Sequence, residues 1–162
     1  MSKTYIGIDN GVTGTIAILH PVFRVFFDKI PVKVEQSYTK AKQNISRIDV
    51  KKFKDIFDQY DDISNSYCLI ERPMINPTRW KASMSGIRAL EATLTVLELY
   101  GIPYSYCDSK EWQKSLLPSG LEKEDLKKAS LDIGTRLFPG IQLKHPDRDG
   151  LLIAEYARRK NL

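Results

Sequence analysis

The most constraining feature of this chain is an apolar run that ends in an acid and a glycine-rich turn. Residues 5–19 read YIGIDNGVTGTIAIL, so that Asp9 follows a strand-like segment and precedes an Asn-Gly turn signal. A second apolar run begins at Thr15, and the two runs predict buried strands over 4–9 and 15–19. A lone carboxylate at such a strand end either caps the turn or faces a charged group, such as a metal ion bound to phosphate.

The spacing of apolar residues over the rest of the chain predicts three more strands and four helices. The strands are predicted over 22–30, 67–70 and 103–107. The helices are predicted over 49–60, 80–100, 119–137 and 146–160, the third with a capping box of Ser119 and Glu122. Residues 33–48 are polar and basic, which predicts a loop or a mobile flap. The order implies an α/β fold: an antiparallel meander of three strands adjoins two parallel strands in a mixed five-stranded sheet flanked by helices.

Length and composition fit one globular domain over residues 1–162. No apolar run approaches the roughly 20 residues of a membrane helix, so we expect no membrane partner. Cys68 and Cys107 lie in apolar runs, which favours a buried, reduced pair in a cytoplasmic protein. The net charge is +5, and eight lysines and arginines fall within 29–54. This excess favours a polyanionic partner, with ordinary solvated side chains as the alternative.

Three acids stand at the ends of predicted elements. Asp9 closes the first strand, Glu71 closes the strand over 67–70, and Asp149 lies in the first turn of the last helix. Because ligands collect outside the carboxyl ends of strands in mixed sheets, these carboxylates can converge. Clustered carboxylates need a cation, and hard oxygen ligands favour Mg²⁺ or Mn²⁺ over zinc. Two such ions about 3.5–4 Å apart would suit phosphodiester hydrolysis.

Each acid also has a purely structural explanation. Asp9 can cap its turn, Glu71 can form a salt bridge at its strand end, and Asp147 and Asp149 can complement the positive end of the last helix. The last helix nevertheless favours convergence, because small residues on one face would let it pack close to the sheet. These residues are Gly150, Ala154 and Ala157.

Five motifs follow one another along the chain: GIDNGVTGTIAI, CLIERP, YGIPYSYCDSKEWQKSLL, RLFPG and HPDRDGLLIAEYARR. Together they resemble the RuvC-type Holliday junction resolvases, most closely the small versions carried by bacteriophages. The resemblance implies an RNase H-like fold and a homodimer that nicks two opposed strands of a four-way DNA junction with Mg²⁺, for which Mn²⁺ would substitute. A phage protein of this kind would act in the host cytoplasm. The family's metal-binding and catalytic acids map to Asp9, Glu71 and Asp149.

One position departs from the family pattern. Family members carry a further acid or histidine three residues before the last aspartate, where this chain has Pro146, which cannot bind metal. We favour Asp147 as the fourth ligand because a second carboxylate suits Mg²⁺, but it can join Asp149 only if the helix starts late. His145 lies four residues before Asp149, a same-face spacing, and could orient water or protonate the leaving group.

The segment 72–81, RPMINPTRWK, follows Glu71 directly. The resemblance suggests that this region meets the junction centre, where an apolar or aromatic wedge can unstack bases. The candidate wedge residues are Met74, Ile75 and Trp80, and the candidate phosphate contacts are Arg72, Arg79 and Lys81. The alternative for the apolar residues is packing on the core or at a dimer seam.

Other functions stay open on the sequence alone. The first motif also resembles the phosphate-binding turn of sugar kinases and actin-like ATPases, but those proteins need two such domains around a nucleotide, and 162 residues are too few. Pro146 leaves room for a non-catalytic junction-binding module. A broader debranching nuclease that acts on forks, flaps and three-way junctions would use the same basic segment.

Overall fold

A mixed sheet of five strands forms the centre of the fold. The computed structural model describes residues 3–162. Its strands are β1 Thr4–Ile8, β2 Thr15–Leu19, β3 Phe26–Lys29, β4 Val32–Gln36, β5 Asn44–Ile48, β6 Ser66–Glu71 and β7 Tyr104–Cys107. Its α-helices are α1 Val50–Phe57, α2 Trp80–Leu99, α3 Ser109–Leu116, α4 Lys123–Leu137 and α5 Asp149–Lys160. Two short 3₁₀ helices cover Ile63–Asn65 and Pro77–Arg79.

The sheet has the strand order β3-β2-β1-β6-β7. Strands β1, β2 and β3 form an antiparallel meander, whereas β6 runs parallel to β1 and β7 runs parallel to β6. The predicted mixed sheet, a meander joined to two parallel strands, is therefore confirmed. Because β1 and β6 are parallel and Ile8 pairs with Ile70, the residues that follow these strands meet at one edge.

The two faces of the sheet bury separate apolar clusters, as alternation along a strand requires. Ile6 and Ile8 face the cluster beneath α1 and α2, which includes Phe53, Phe57 and Leu97. The opposite face packs against α3 and α5, and its largest fully buried members are Leu69, Trp112, Leu151 and Leu152. Strands β1 and β2 are buried along their whole length, which explains their continuous apolar sequence.

Helix α5 lies directly on the backbone of β1. A Cβ atom added at Gly7 would lie 2.2 Å from both the backbone nitrogen of Ala154 and the carbonyl oxygen of Gly150. The backbone N–H of Gly150 in turn donates to Thr15 Oγ1 on β2, at 3.0 Å. The small residues of α5 thus allow the close approach that their spacing predicts, and they fix the first turn of α5 at the end of β1.

The predicted loop over 33–48 is wrong, because strands β4 and β5 form a hairpin there. The two strands pair antiparallel with each other, from Val32 opposite Ile48 to Gln36 opposite Asn44. Most of their side chains are exposed, so the sequence lacks the alternation of apolar residues that would predict these strands. The third strand is also shorter than predicted, since it begins at Phe26 and leaves Val22 exposed.

The helices differ from the prediction at three places. Helix α3 was not predicted; its start carries a capping box in which Asp108 and Glu111 exchange side-chain and backbone hydrogen bonds. The predicted capping box at Ser119 is wrong, because α4 begins at Lys123. Helix α5 begins at Asp149 rather than at residue 146, so the segment before it is a loop.

The predicted burial of the two cysteines agrees with the structure. Cys68 and Cys107 are both free thiols and both buried. Over residues 3–162, no helix combines the length and the apolar character that crossing a membrane requires.

Candidate functional site

Asp9 is held at the end of β1 by a tight turn. Its backbone N–H donates to the carbonyl oxygen of Thr15, at 3.0 Å, and Gly11 adopts a φ of +142°. A Cβ atom at Gly14 would lie 1.9 Å from the Asp9 carbonyl oxygen, so this position accepts no side chain. The glycines of the first motif therefore close the turn. These contacts are made by backbone atoms, and none of them uses the Asp9 side chain as a cap.

Asp9, Asp147 and Asp149 form an acidic cluster. Each contributes a carboxylate oxygen, and these oxygens all lie within 4.8 Å of one another. Asp147 is buried, and Asp9 and Asp149 are half-buried. Asp147 precedes α5, and its Oδ1 accepts the backbone N–H of Asp149 at 3.3 Å. The late start of α5 is what brings Asp147 and Asp149 to the same place.

Burial and mutual repulsion disfavour the charged forms of this cluster. Burial, followed by repulsion from Glu71, Asp149 and Asp147, raises the pKa of Asp9 well above its usual value. Burial and the Asp147 carboxylate raise the pKa of Asp149 to about 7. A bound cation would remove both penalties, and the chemistry of three oxygen donors suits a hard divalent ion.

Glu71 ends β6 beside the acidic cluster but is not one of its three members. The indole N–H of Trp112 donates to Glu71 Oε2 at 2.6 Å. Burial raises the pKa of Glu71, while the Trp112 hydrogen bond lowers it. The charge of Glu71 raises the pKa values of Asp9 and Asp149, so all four carboxylates influence one another at this edge of the sheet.

Helix α4 supports the entry to α5 through one hydroxyl. Ser130 Oγ donates to Asp149 Oδ1 at 2.5 Å and accepts the backbone N–H of Arg148 at 3.0 Å. One turn later, Gly134 leaves room for the side chain of Arg148, because a Cβ atom there would lie 2.4 Å from Arg148 Cβ. The buried Arg148 also donates to the carbonyl oxygen of Asp147 at 3.1 Å. These contacts hold Asp147, in the loop, and Asp149, at the start of α5.

His145 lies against Asp147 rather than within the acidic cluster. Its Nδ1 is 3.2 Å from Asp147 Oδ1, and its ring stands edge-on to Phe27. The prediction that His145 shares a helix face with Asp149 is wrong, because α5 begins after both His145 and Pro146. His145 therefore contacts Asp147 and not Asp149.

The segment that follows Glu71 is exposed. Met74 is 79 %, Ile75 57 % and Trp80 65 % accessible, so these side chains do not pack on the core of the chain. Arg72 is also exposed, and its Nη1 lies 3.3 Å from Asp108 Oδ1. Arg79 and Lys81, at the start of α2, are exposed as well. The segment therefore presents apolar and basic side chains together, beside the strand that carries Glu71.

The sequence and the structure of this chain differ in what they resemble among known proteins. No protein-family model matches the sequence, and no curated protein matches it. The structure is similar to Thermus thermophilus RuvC in complex with a Holliday junction substrate, with a TM-score of 0.68, 13 % identity, and coverage of 99 % of this chain and 95 % of that one. The chain has the RuvC fold. A second Thermus thermophilus RuvC structure matches at a TM-score of 0.55 and 12 % identity over 98 % of this chain and 96 % of that chain.

Three residues near the carboxylates of this RuvC fold were missed by the sequence analysis. Trp112 belongs to α3, and the capping box of α3 is the signal that would have found it. Ser130 is a polar position inside the apolar stripe of α4, which is a sign of a buried hydrogen bond. The exposed Lys127, one turn before Ser130, lowers the pKa values of Asp9 and Asp149 by its charge.

Proposed function

We propose that this chain, acting as one nuclease domain, is a divalent-metal-dependent endodeoxyribonuclease that resolves four-way DNA junctions by paired nicks. The observation that carries the proposal is the acidic cluster of Asp9, Asp147 and Asp149, whose oxygens lie within 4.8 Å at the edge where β1 ends. The RuvC fold supports it, because the similar Thermus thermophilus protein was solved with a Holliday junction substrate.

The donor set favours Mg²⁺, with Mn²⁺ as a substitute. Every candidate ligand is a carboxylate, which suits hard cations rather than zinc. Asp9, Asp147 and Asp149 would hold the metal, and Glu71 would complete the set from the neighbouring strand. When bound, two ions would supply the positive charge that activates water and stabilises the leaving oxygen in phosphodiester hydrolysis.

The surrounding residues would prepare the carboxylates for this role. Ser130 orients Asp149, and the Trp112 indole N–H orients Glu71. His145 Nδ1 lies 3.2 Å from Asp147 Oδ1 and outside the acidic cluster, so we assign His145 a supporting part rather than that of a direct ligand. Each of these contacts removes a rotational freedom that a ligand would otherwise lose on binding.

The exposed segment after Glu71 would meet the DNA. Arg72, Arg79 and Lys81 carry the charge to hold phosphates, and the apolar Met74, Ile75 and Trp80 have the exposure that a base-unstacking wedge needs. A twofold homodimer would place two such sites on opposed strands of a junction with twofold symmetry. In this proposal the protein works in the cytoplasm, where branched DNA forms.

A nicking assay on three DNA substrates tests the proposal. Immobile four-way junctions, three-way junctions and linear duplexes are incubated with Mg²⁺, Mn²⁺ or a chelator. We expect symmetric nicks in the four-way junction with either metal and none with the chelator. Asp9→Asn serves as the control, since it should abolish nicking by a factor of at least about 100 while leaving junction binding in place. Comparable cutting of all three substrates would exclude junction specificity.

Full activity in the Asp9→Asn protein would contradict the metal assignment. Junction binding by the wild type without any metal-dependent nick would favour a non-catalytic binding module instead. The three-way junction arm of the assay separates a resolvase from a general debranching nuclease, because only the latter cuts three-way junctions as fast as four-way junctions.

A further inference from the structure

The β4–β5 hairpin stands apart from the central sheet. Its two strands form a separate two-stranded sheet in the part of the chain that the structure describes. Its base is tied to the turn after Asp9, because the N–H of Ile30 donates to the carbonyl oxygen of Gly14 at 3.0 Å. The N–H of Asp49 closes the base by donating to the carbonyl oxygen of Pro31 at 2.9 Å.

The body of the hairpin has an acid beside its basic residues, whereas its tip has none. Within the strands, the Glu35 carboxylate contacts both Lys33 and Arg47, the latter at 2.8 Å. The tip, residues 37–43, contains Lys40 and Lys42 and no acid. Over residues 3–162, neither of these two lysines forms an ion pair within the chain. Uncompensated positive charge therefore gathers at the exposed end of the hairpin.

The other side chains of the tip are hydrogen-bonding groups of the kind that contact DNA phosphates. They are Ser37, Tyr38, Thr39 and Gln43. Tyr38 is 78 % exposed, and the remaining tip residue is an alanine. A tip with lysines, hydroxyls and an amide, and without an apolar patch, fits a phosphate backbone better than an apolar protein groove.

The base of the hairpin lies next to the candidate site. Val12 from the turn after Asp9, Arg47 from β5 and Arg88 from α2 line one groove. Each hairpin strand has five residues, and the rise per residue is about 3.3 Å, so the tip reaches roughly 17 Å beyond the base. With about 3.4 Å of helix axis per base pair, this reach equals about five base pairs of duplex DNA.

We propose that the hairpin tip, through Lys40 and Lys42, binds the phosphate backbone of a duplex arm next to the strand held at Asp9. This inference rests on the proposed function, because it takes the acidic cluster as the place where a DNA strand is bound. The contact is to phosphates and is independent of base sequence. It adds affinity for duplex arms of any branched substrate.

The test compares two doubly substituted proteins with the wild type in the presence of a chelator, so that binding is measured without cleavage. Lys40→Ala/Lys42→Ala removes the tip charge. Lys3→Ala/Lys160→Ala removes the same charge just before β1 and at the end of α5, near the chain end where Lys3 Nζ donates to the Leu162 carbonyl oxygen. The dissociation constants for a four-way junction and for a linear duplex are measured between about 50 and 200 mM KCl, the range over which phosphate contacts show their salt dependence.

We expect the tip variant to bind both DNAs about tenfold more weakly at low salt, and its log–log salt slope to fall by about two, one for each lost phosphate contact. The control variant should keep a slope within about 0.5 of the wild type. Neutral methylphosphonates placed along one arm then locate the contact. Substitution at the phosphates that the tip contacts should weaken binding by the wild type and add nothing to the loss in the tip variant.

An unchanged salt slope in the tip variant, or an equal loss in the control, would overturn the hairpin proposal. The proposed function fails separately, because it is judged on the wild type alone. A wild type that binds DNA but never nicks it would overturn the proposed nuclease function and leave the hairpin result intact. A wild type that binds neither DNA overturns both.

Discussion

Ser130 on α4 donates a hydrogen bond to Asp149 at the first position of α5, with 2.5 Å between Oγ and Oδ1. The same hydroxyl oxygen accepts the backbone N–H of Arg148 at 3.0 Å. One buried side chain thus satisfies a helix-entry amide and orients a carboxylate of the acidic cluster. Because α4 and α5 touch at this hydroxyl, the position of Asp149 depends on a helix that carries no acid of the cluster.

Ser130→Ala should weaken both the fold and metal binding. The Arg148 N–H loses its acceptor in a buried place, which costs about 1–3 kcal/mol of unfolding free energy. Asp149 also loses the group that orients it, so the Mg²⁺ concentration for half-maximal nicking should rise several-fold and excess Mg²⁺ should restore the rate. Chemical denaturation and a Mg²⁺ titration of nicking measure the two effects. Thr135→Ala, at an exposed position of α4, is the control.

The acidic cluster should make the metal-free protein less stable as the pH rises. Asp149 has a folded-state pKa of about 7 against an ordinary value of 3.8, and the pKa of Asp9 is raised as well. A group with a raised pKa contributes its full stability below about pH 4 and loses it as the pH passes through the folded-state value. The loss should be on the order of a few kcal/mol and should shrink with Mg²⁺.

Urea denaturation between about pH 4 and pH 8, with EDTA or with Mg²⁺, measures this dependence. Other carboxylates titrate over the same range, so the informative quantity is the difference between the wild type and Asp149→Asn. We expect the Asp149→Asn substitution to remove part of the decline with EDTA and to reduce the gain from Mg²⁺. Parallel pH curves for the two proteins would show that Asp149 ionises normally and that the cluster imposes no such penalty.

Much of the fold was predictable because its strands and helices bury periodic apolar residues. The run before Asp9 and the run 67–70 give β1 and β6, whose parallel pairing then brings Asp9 and Glu71 to one edge. The close packing of α5 was also readable from its small residues, because only a helix with glycine and alanine on one face can reach the backbone at Gly7.

The hairpin and the start of α5 could not be predicted, because neither is marked by a local pattern of residues. The β4–β5 hairpin is exposed on most of its side chains, so no alternation of apolar residues marks it. The N-cap residue of α5, Arg148, provides no side-chain cap, and tertiary contacts bind amides at this helix start: the Ser130 hydroxyl accepts the Arg148 N–H and the Thr15 hydroxyl accepts the Gly150 N–H. That start decides whether Asp147 can join Asp149, which is why the sequence left Asp147 and His145 as alternatives.

Trp112→Phe should move the pH dependence of nicking while keeping most of the packing. The indole N–H donates to Glu71 at 2.6 Å and lowers the pKa of that carboxyl, which burial raises. Without the hydrogen bond the Glu71 pKa rises further, so the carboxylate form is reached at higher pH. We expect nicking at neutral pH to fall about tenfold and its acid limb to shift upward. The measurement is the nicking rate at saturating Mg²⁺ from about pH 6 to pH 9. If Glu71 plays no part, the acid side of this pH–rate profile should be the same in Trp112→Phe and in the wild type.

Asp147→Asn and His145→Ala should separate a metal ligand from the residue that orients it. The Asp147 carboxylate belongs to the acidic cluster, whereas His145 Nδ1 contacts Asp147 from outside the cluster, at 3.2 Å. We expect Asp147→Asn to lower nicking by at least about 100-fold at any Mg²⁺ concentration, because a ligand is lost, and His145→Ala to cost about 10-fold, as outer contacts of a metal site do. High Mg²⁺ should recover most of the His145→Ala loss, since the carboxylate remains. Single-turnover nicking over a range of Mg²⁺ concentrations distinguishes the two, and a larger loss in His145→Ala would reverse the assignment.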